Sequence, residues 1–361
     1  MINRLVFENL RHRPIRTLLT SAAIGIQVTL ILTLVGVSYG IVNDTASRTR
    51  GTGADLMVRP PDSSVIGFSG NMPEKLTDVV RALPHVALAT GVLQQPIGSI
   101  NTITGINLAE FDRMSGGFEF IHGGPFQQPN DLIVDNVFAE AKHLHVGSTF
   151  DYGRPWRVCG IVETGKLSRT FAERGYLQEL YSADGKITTI FVKVDKPADI
   201  ALVQSEIEQK LPTYKIYSME EYLSLFSVNN IPEVQAFTKI VIGIGLVIGF
   251  LVVFLSMYTA VLERTRDIGI LKALGAGPGY IVNMLMRETL WLSAFGTIFG
   301  ILLSFAAHAL LLAFMPTYPN QIVYSWWAPA ALLAIVGSLI GALYPGIKAA
   351  RQDPIEALSY D

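Results

Sequence analysis

The chain has 361 residues, half of them hydrophobic and only 16% charged, where soluble domains carry roughly 25% charged residues. Its apolar residues gather in a few long blocks, which excludes an ordinary soluble enzyme. The net charge of -2 leaves no basic stripe for a nucleic-acid partner, and the single cysteine, Cys159, excludes an intramolecular disulfide and a cysteine-rich metal site.

From the N-terminus, residues 1–16 form a segment carrying Arg4, Arg11, Arg13 and Arg16, and an uncharged run, Thr17 to Val42, follows. A bilayer core about 30 Å thick takes about 20 helical residues, so 17–42 is the first predicted transmembrane helix. The run is longer than the apolar stretch of a cleaved signal peptide, and Tyr39-Gly40-Ile41-Val42-Asn43 does not resemble a small-residue cleavage site.

Residues 43–239 carry 18 basic and 23 acidic side chains and are patterned as a mixed α+β domain. Ala54–Arg59 reads as a strand, Glu74–Leu83 as a helix, and Val86–Ile106 as one or more strands with turns. Later, Thr188–Val194 reads as a strand, Pro197–Lys210 as an amphipathic helix and Tyr214–Ser218 as a strand. Between these two β-α-β units the spacing predicts a smaller β-rich insert at about Asp112–Ser182, with a strand at Asp131–Val134, a helix at Asn136–His143 and a strand at Trp156–Val162. Gly160-Ile-Val-Glu-Thr-Gly165-Lys166 has the spacing of a phosphate-binding loop, but Leu167 replaces the Ser or Thr that would hold magnesium, so it reads as a turn after a strand. His143 and His145 with Glu140 lack a third convergent ligand and read as surface side chains, so no metal site is expected. No catalytic constellation is legible.

The second predicted span is 240–262. From Thr289 to Ile347 the chain has no Lys, Arg, Asp or Glu, which leaves room for a third span at 289–314 and a fourth at 327–344, joined by a turn at Pro316, Pro319 and Asn320. Each span holds two glycines four apart: Gly36 and Gly40, Gly245 and Gly249, Gly296 and Gly300, Gly337 and Gly341. Small residues at that spacing let helix backbones approach closely, within one bundle or across a dimer interface. No charged residue falls inside a span, which weighs against an ion-coupled carrier; His308 is the one titratable exception and reads as a packed or interfacial side chain. Arginine and lysine flank the first span, the 263–288 connector (Arg264, Arg266, Lys272, Arg287) and the tail 345–361 (Lys348, Arg351). By the positive-inside rule both termini and the connector are cytoplasmic and 43–239 lies outside.

In the connector, Glu263-Arg264-Thr265-Arg266-Asp267-Ile268-Gly269-Ile270-Leu271-Lys272-Ala273-Leu274-Gly275-Ala276 starts with clustered charge, continues with apolar residues at helical spacing and ends on glycine. It reads either as a rigid elbow at the membrane surface or as a solvated linker. This segment resembles the signature of the FtsX/MacB-like permease family, the membrane subunits of type VII ABC transporters. The tail Tyr344-Pro345-Gly346-Ile347-Lys348-Ala349-Ala350-Arg351-Gln352-Asp353-Pro354-Ile355-Glu356-Ala357-Leu358 is similar to that family's ending, and Glu8–Thr20 is similar to its entry into the first span. A weaker likeness through Asp131–Gly165 matches the middle of the family's periplasmic core domain.

The resemblance implies an α-helical membrane protein with four transmembrane helices and a MacB-like periplasmic core domain, working in a bacterial plasma (inner) membrane as a non-catalytic permease subunit. It implies a homodimer, among membrane lipids, clasping a cytoplasmic ABC ATPase, with an adaptor on the outer side. ATP and magnesium belong to the ATPase, and this chain is expected to hold no cofactor. Glu263, Arg264, Arg266, Asp267, Ile268, Gly269, Leu271, Lys272, Leu274 and Gly275 would form the ATPase docking surface, and Ile2–Arg13 would lie against the inner face. MacB carries its ATPase at its own N-terminus, whereas this chain starts almost at the first span, so the ATPase is expected on a separate polypeptide. The expected work is mechanotransmission that exports or extracts an amphiphile (lipid, peptide, lipoprotein or haem). The alternative is an FtsX-like transmitter regulating a cell-wall hydrolase.

Overall fold

The computed structural model describes residues 8, 11, 12, 14–63, 70–97, 101–225 and 232–353. Most of the predicted N-terminal segment Ile2–Arg13 and the tail from Pro354 onward lie outside them. In chain order the helices are α1 (Pro14–Arg50), α2 (Leu76–Arg81), α3 (Leu108–Ser115), α4 (Asn136–Lys142), α5 (Arg174–Leu180), α6 (Ile200–Lys210), α7 (Met219–Leu225), α8 (Pro232–Glu263), α9 (Thr265–Ala273), α10 (Pro278–Phe314) and α11 (Trp327–Arg351). The strands are β1 (Leu56–Arg59), β2 (Met72–Pro73), β3 (Val86–Ile97), β4 (Asn101–Ile106), β5 (Phe120–Gly123), β6 (Asp131–Asp135), β7 (Thr149–Asp151), β8 (Pro155–Val162), β9 (Thr170–Glu173), β10 (Lys186–Ile187), β11 (Thr189–Val194) and β12 (Lys215–Ser218). The chain divides into two compact units, one of Met1–Tyr39, Glu233–Phe314 and Asn320–Asp361, the other of Gly40–Pro232 and Met315–Pro319.

The first unit is a helical bundle. Among the described residues α1, α8, α10 and α11 are long and apolar enough to cross a membrane. The helices outrun the apolar stretches that reveal them: α1 at 37 residues is about 55 Å long at 1.5 Å per residue. Asp44, Arg48 and Arg50 end the lipid-compatible stretch of α1 but not its helix, which stops at Gly51, where an added Cβ would run into the Gly165 carbonyl oxygen. Likewise α11 runs beyond Tyr344, through the buried Pro345, to Arg351. Ile24, Val28, Ile31 and Val35 recur at helical spacing along α1 and are fully buried or nearly so, placing this helix at the centre of the bundle core with Val253, Met257, Leu285, Leu292, Ala334 and Ala342.

In lipid the hydrophobic effect does not drive helices together, so close backbone packing and interhelical hydrogen bonds must. The glycines supply that packing inside the chain. A Cβ on Gly300 would lie 2.5 Å from the Gly25 carbonyl oxygen and one on Gly296 would lie 2.7 Å from Ile24 Cβ, so α10 and α1 cross at near backbone contact. Thr29 Oγ1 donates to the Gly300 carbonyl across the same crossing at 2.9 Å. On α11, a Cβ on Gly341 would stand 2.8 Å from the Phe250 carbonyl of α8, while Gly337 faces Leu246 at 3.3 Å. Gly249 accommodates the buried Gln27 side chain, Gly245 makes ordinary contacts with Gln27 and Ile31, Gly36 meets the Gln321 carbonyl rather than a helix, and Gly40 is buried on α1.

In the second unit, ten strands form one mixed sheet in the order β12-β1-β11-β3-β4-β9-β6-β8-β5, with β7 paired to β8; β2 and β10 form a separate pair. The pairings β4–β9 and β6–β8 are parallel and the others in this sheet antiparallel. The strands within the predicted insert at 112–182 thus belong to this same sheet. The twelve-residue β3 pairs with β11 through its first half (Val86–Val92) and with β4 through its second (Leu93–Ile97), carrying the ladder from one lobe into the other. Strand alternation then sorts the core. Leu56, Val58, Ile190 and Val192 face α2 and α6 through Val80, Val203 and Ile207. Leu132, Val134, Trp156 and Val158 face α4 and α5 through Phe138 and Leu177. Met57, Phe191, Ile133 and Phe171 line the opposite face, which α3 and α7 cover with Phe111, Met114, Met219 and Tyr222.

Candidate functional site

The connector after α8 is built to hold a short helix rigidly. Arg264 is the N-cap residue of α9. At the other end Gly275 sits at φ +96°, its N–H bonded to the Lys272 carbonyl (3.0 Å) and that of Ala276 to the Leu271 carbonyl (2.9 Å). This paired closure with a left-handed residue needs glycine and ends the helix sharply. Pro278, which needs no N–H partner, then opens α10.

α9 presents two different faces. Arg264, Thr265, Ile268 and Gly269 are buried, Ile268 is 2% exposed, and Leu271 packs against the bundle core. Arg266, Asp267, Ile270 and Leu274 are exposed, Leu274 at 81%. Residues 266, 270 and 274 are spaced one turn apart and so share a face. Of the ten residues assigned to docking by the sequence, Glu263, Arg266, Asp267, Leu274 and Gly275 are thus exposed, whereas Arg264, Ile268 and Gly269 are buried and Leu271 and Lys272 half-buried. Ile270 was missed. Apolar residues occur on both sides of this helix, so periodicity alone does not say which side faces inward.

The buried side of the connector holds a charge cluster. Glu288, on α10, is fully buried; it accepts a hydrogen bond from Arg16 of α1 at 2.9 Å and one from Arg264 at 3.1 Å. Arg16 also lies 3.8 Å from Glu263. A buried carboxylate is tolerated only when paired and hydrogen-bonded. α10 starts eleven residues before Thr289 and outruns the predicted span 289–314, so Glu288 lies within a continuous helix, just outside that span, and is buried rather than at a solvated edge. At the far end of α9, Lys272 Nζ donates to the Ala350 carbonyl at 2.9 Å and to the Gln352 carbonyl, capping the C-terminal end of α11, where a cation suits the helix dipole.

The remaining candidates are engaged locally. The Lys166 amine donates to the Ser115 carbonyl, Gly160 is paired inside β8, and Thr164 Oγ1 donates to Asp135 at 2.8 Å, so the loop is folded into its own domain. Burial lowers the Lys166 amine below its ordinary value. His143 ends α4 in a left-handed conformation, and no group of three potential metal ligands forms among the described residues. His308 Nδ1 is buried with no hydrogen-bond partner among the described residues. In the sheet domain, Asp135 caps α4 through the Phe138 N–H (2.7 Å) and pairs with Arg169 (3.0 Å), which also reaches Asp44 (3.2 Å). Burial raises the Asp135 carboxyl above the ordinary carboxylate value despite that arginine.

A four-helix apolar bundle with a charged, capped surface helix, together with a mixed α+β sheet domain, defines a polytopic membrane protein. Residues 17–210 match the family model described as MacB-like periplasmic core domain, and residues 239–354 match that of the FtsX-like permease C-terminal. The chain belongs to this family, the ABC transporter permeases of MacB/FtsX type. It is 24% identical over 99% of its length to the Bacillus subtilis uncharacterized ABC transporter permease YknZ, covering 98% of that protein. It is also 24% identical, again over 99% of its length, to the Escherichia coli macrolide export ATP-binding/permease protein MacB, of which it covers 60%. The solved extracellular domain of the noncanonic transporter YknZ from Gram-positive bacteria aligns with 46% of this chain and 99% of that domain, at a TM-score of 0.36 and 14% identity.

Proposed function

We propose that this permease works with a separate ATP-hydrolysing subunit that docks on the exposed face of α9, and that two copies of the permease clasp two copies of the ATPase. The observation that carries the reading is the face itself: Ile270 and Leu274 are exposed beside Arg266 and Asp267. A surface mixing both charges with apolar side chains does not suit hydrocarbon, where charged groups are costly, but it does suit a protein interface, whose apolar centre has a polar rim. The positive-inside distribution supports a topology with α9 and both termini in the cytoplasm and 43–239 on the outer side, in a bacterial inner membrane. ATP and magnesium are held by the partner. Nucleotide-driven closure of the partner pushes α9, and the bundle passes that movement to the outer domain, which exports or extracts an amphiphile such as a lipid, peptide, lipoprotein or haem.

Purification of the tagged full-length chain from its native membrane tests this. The expected result is a stoichiometric ABC ATPase whose recovery is lost with Ile270→Asp or Leu274→Asp. Recovery of the chain without any ATPase, or full retention in both variants, overturns the docking assignment. A complex that hydrolyses ATP in liposomes but displaces no amphiphile from them would instead favour the signal-transmitter reading.

A further inference from the structure

One carboxylate holds three elements together. Glu288 belongs to α10, Arg16 to α1, and Arg264 is the N-cap residue of α9. The two guanidinium groups donate to separate oxygens of the same side chain, Arg16 to Glu288 Oε1 and Arg264 to Glu288 Oε2, so neither bond substitutes for the other. With Glu263 at 3.8 Å from Arg16, the four side chains sum to zero charge, the condition under which such a group survives burial. At the opposite end of α9, Lys272 ties the last turn to the end of α11. The element whose outer face is free to meet a partner is therefore fastened at its N-cap to α10, and through Glu288 to α1, and at its last turn to α11. A surface linker would need neither fastening.

We propose that Glu288 is the positioning residue of energy coupling: its two ion pairs form a latch that makes α1 and α10 follow α9 when the ATPase moves it. This rests on the docking reading above. The latch acts through charge and geometry, not volume, so the near-isosteric Glu288→Gln releases it while leaving the helix and its packing in place. Glu288→Asp keeps the charge with a shorter reach and restores part of the function.

The test uses the full chain in lipid nanodiscs, in a Cys159→Ala background, spin-labelled at the exposed positions Ile15→Cys on α1 and Ile270→Cys on α9. One narrow distance is expected with Glu288 present, a broad distribution with Glu288→Gln, and partial narrowing with Glu288→Asp. In the unlabelled complex, Glu288→Gln is expected to retain the ATPase in pull-down but lose ATP-driven change in the outer domain. A distribution as narrow as wild type, or unimpaired coupling, overturns the proposal. If Glu288→Gln does not fold, the part-exposed Arg16→Gln serves: it should broaden the α1–α9 distance while leaving narrow the distance from Ile270 to a label at exposed Leu290 of α10. An α1–α9 distance that stays narrow overturns the latch. Because the distance measurement needs no partner, absence of a bound ATPase sinks the docking reading without touching this result.

Discussion

Replacing Gly300 by alanine isolates the packing that holds the bundle together. An added Cβ would sit 2.5 Å from the Gly25 carbonyl oxygen, 2.7 Å from Val28 Cβ and 3.1 Å from Gly25 Cα. An ordinary separation is about 3.5 Å, so α1 and α10 must part by roughly 1 Å. Forcing one methyl into a packed interior costs about 1–3 kcal/mol. The Thr29 hydrogen bond to the Gly300 carbonyl crosses the same contact, and an interhelical bond of this kind in a membrane contributes about 0.6 kcal/mol. Against this, alanine gains about 1 kcal/mol over glycine in a helix interior. Gly243 on α8 provides the comparison, because nothing lies within 4 Å of its added Cβ, leaving only the propensity gain. The two alanine variants should therefore differ by roughly 2–4 kcal/mol, with Gly300→Ala the less stable. Denaturant unfolding in mixed micelles, followed by tryptophan fluorescence, measures this. Equal stability of the two variants would refute close backbone contact as the basis of the α1–α10 crossing.

Leu271→Asp places a charge against the bundle core and should lower unfolding stability in the same assay, whereas Leu274→Asp, on a side chain that is 81% exposed, should leave it unchanged. Cys159 is buried, and burial, reinforced by Asp131, pushes its thiol up to about 12. The native chain at pH 7.5 should resist maleimide and react only after unfolding, as mass spectrometry would record. In the sheet domain, burial works to raise the Asp131 carboxyl, but the Arg157 guanidinium and the N–H groups of Gln127 and Gln128 outweigh it and hold it below the ordinary value. A depressed folded-state value adds stability that is complete above about pH 4 and fades as pH falls through the lower value. Asp131→Asn should thus destabilise the protein at pH 7, and the gap to wild type should close on acidification below about pH 4, which thermal melts across pH can follow.

The sequence made the membrane helices legible because charge is excluded from hydrocarbon, but charge marks the lipid boundary rather than the helix end. That is why α1 outruns Val42 and ends on the Gly51 contact. The strands were legible from alternation. Their union into one sheet was not, because it depends on β3 pairing with β11 about a hundred residues away by its first half and with its neighbour β4 by its second. The elbow could be located from its charges and Gly275, yet Ile268 and Ile270 look alike in one dimension and only packing assigns one inward and one outward. Glu288 was hidden for a similar reason. It stands beside Arg287 at the edge of an uncharged run, which suggests a solvated border, while its partners Arg16 and Arg264 lie 272 and 24 residues away in sequence.

Whether the outer face of α9 meets a nucleotide-hydrolysing partner can be read from a photoreactive amino acid introduced at Leu274 in native membranes. A crosslink from this position to an ABC ATPase is expected, and none from the exposed Ile121 of the sheet domain. Crosslinks from Leu274 to lipid or outer-face proteins alone would contradict the docking reading.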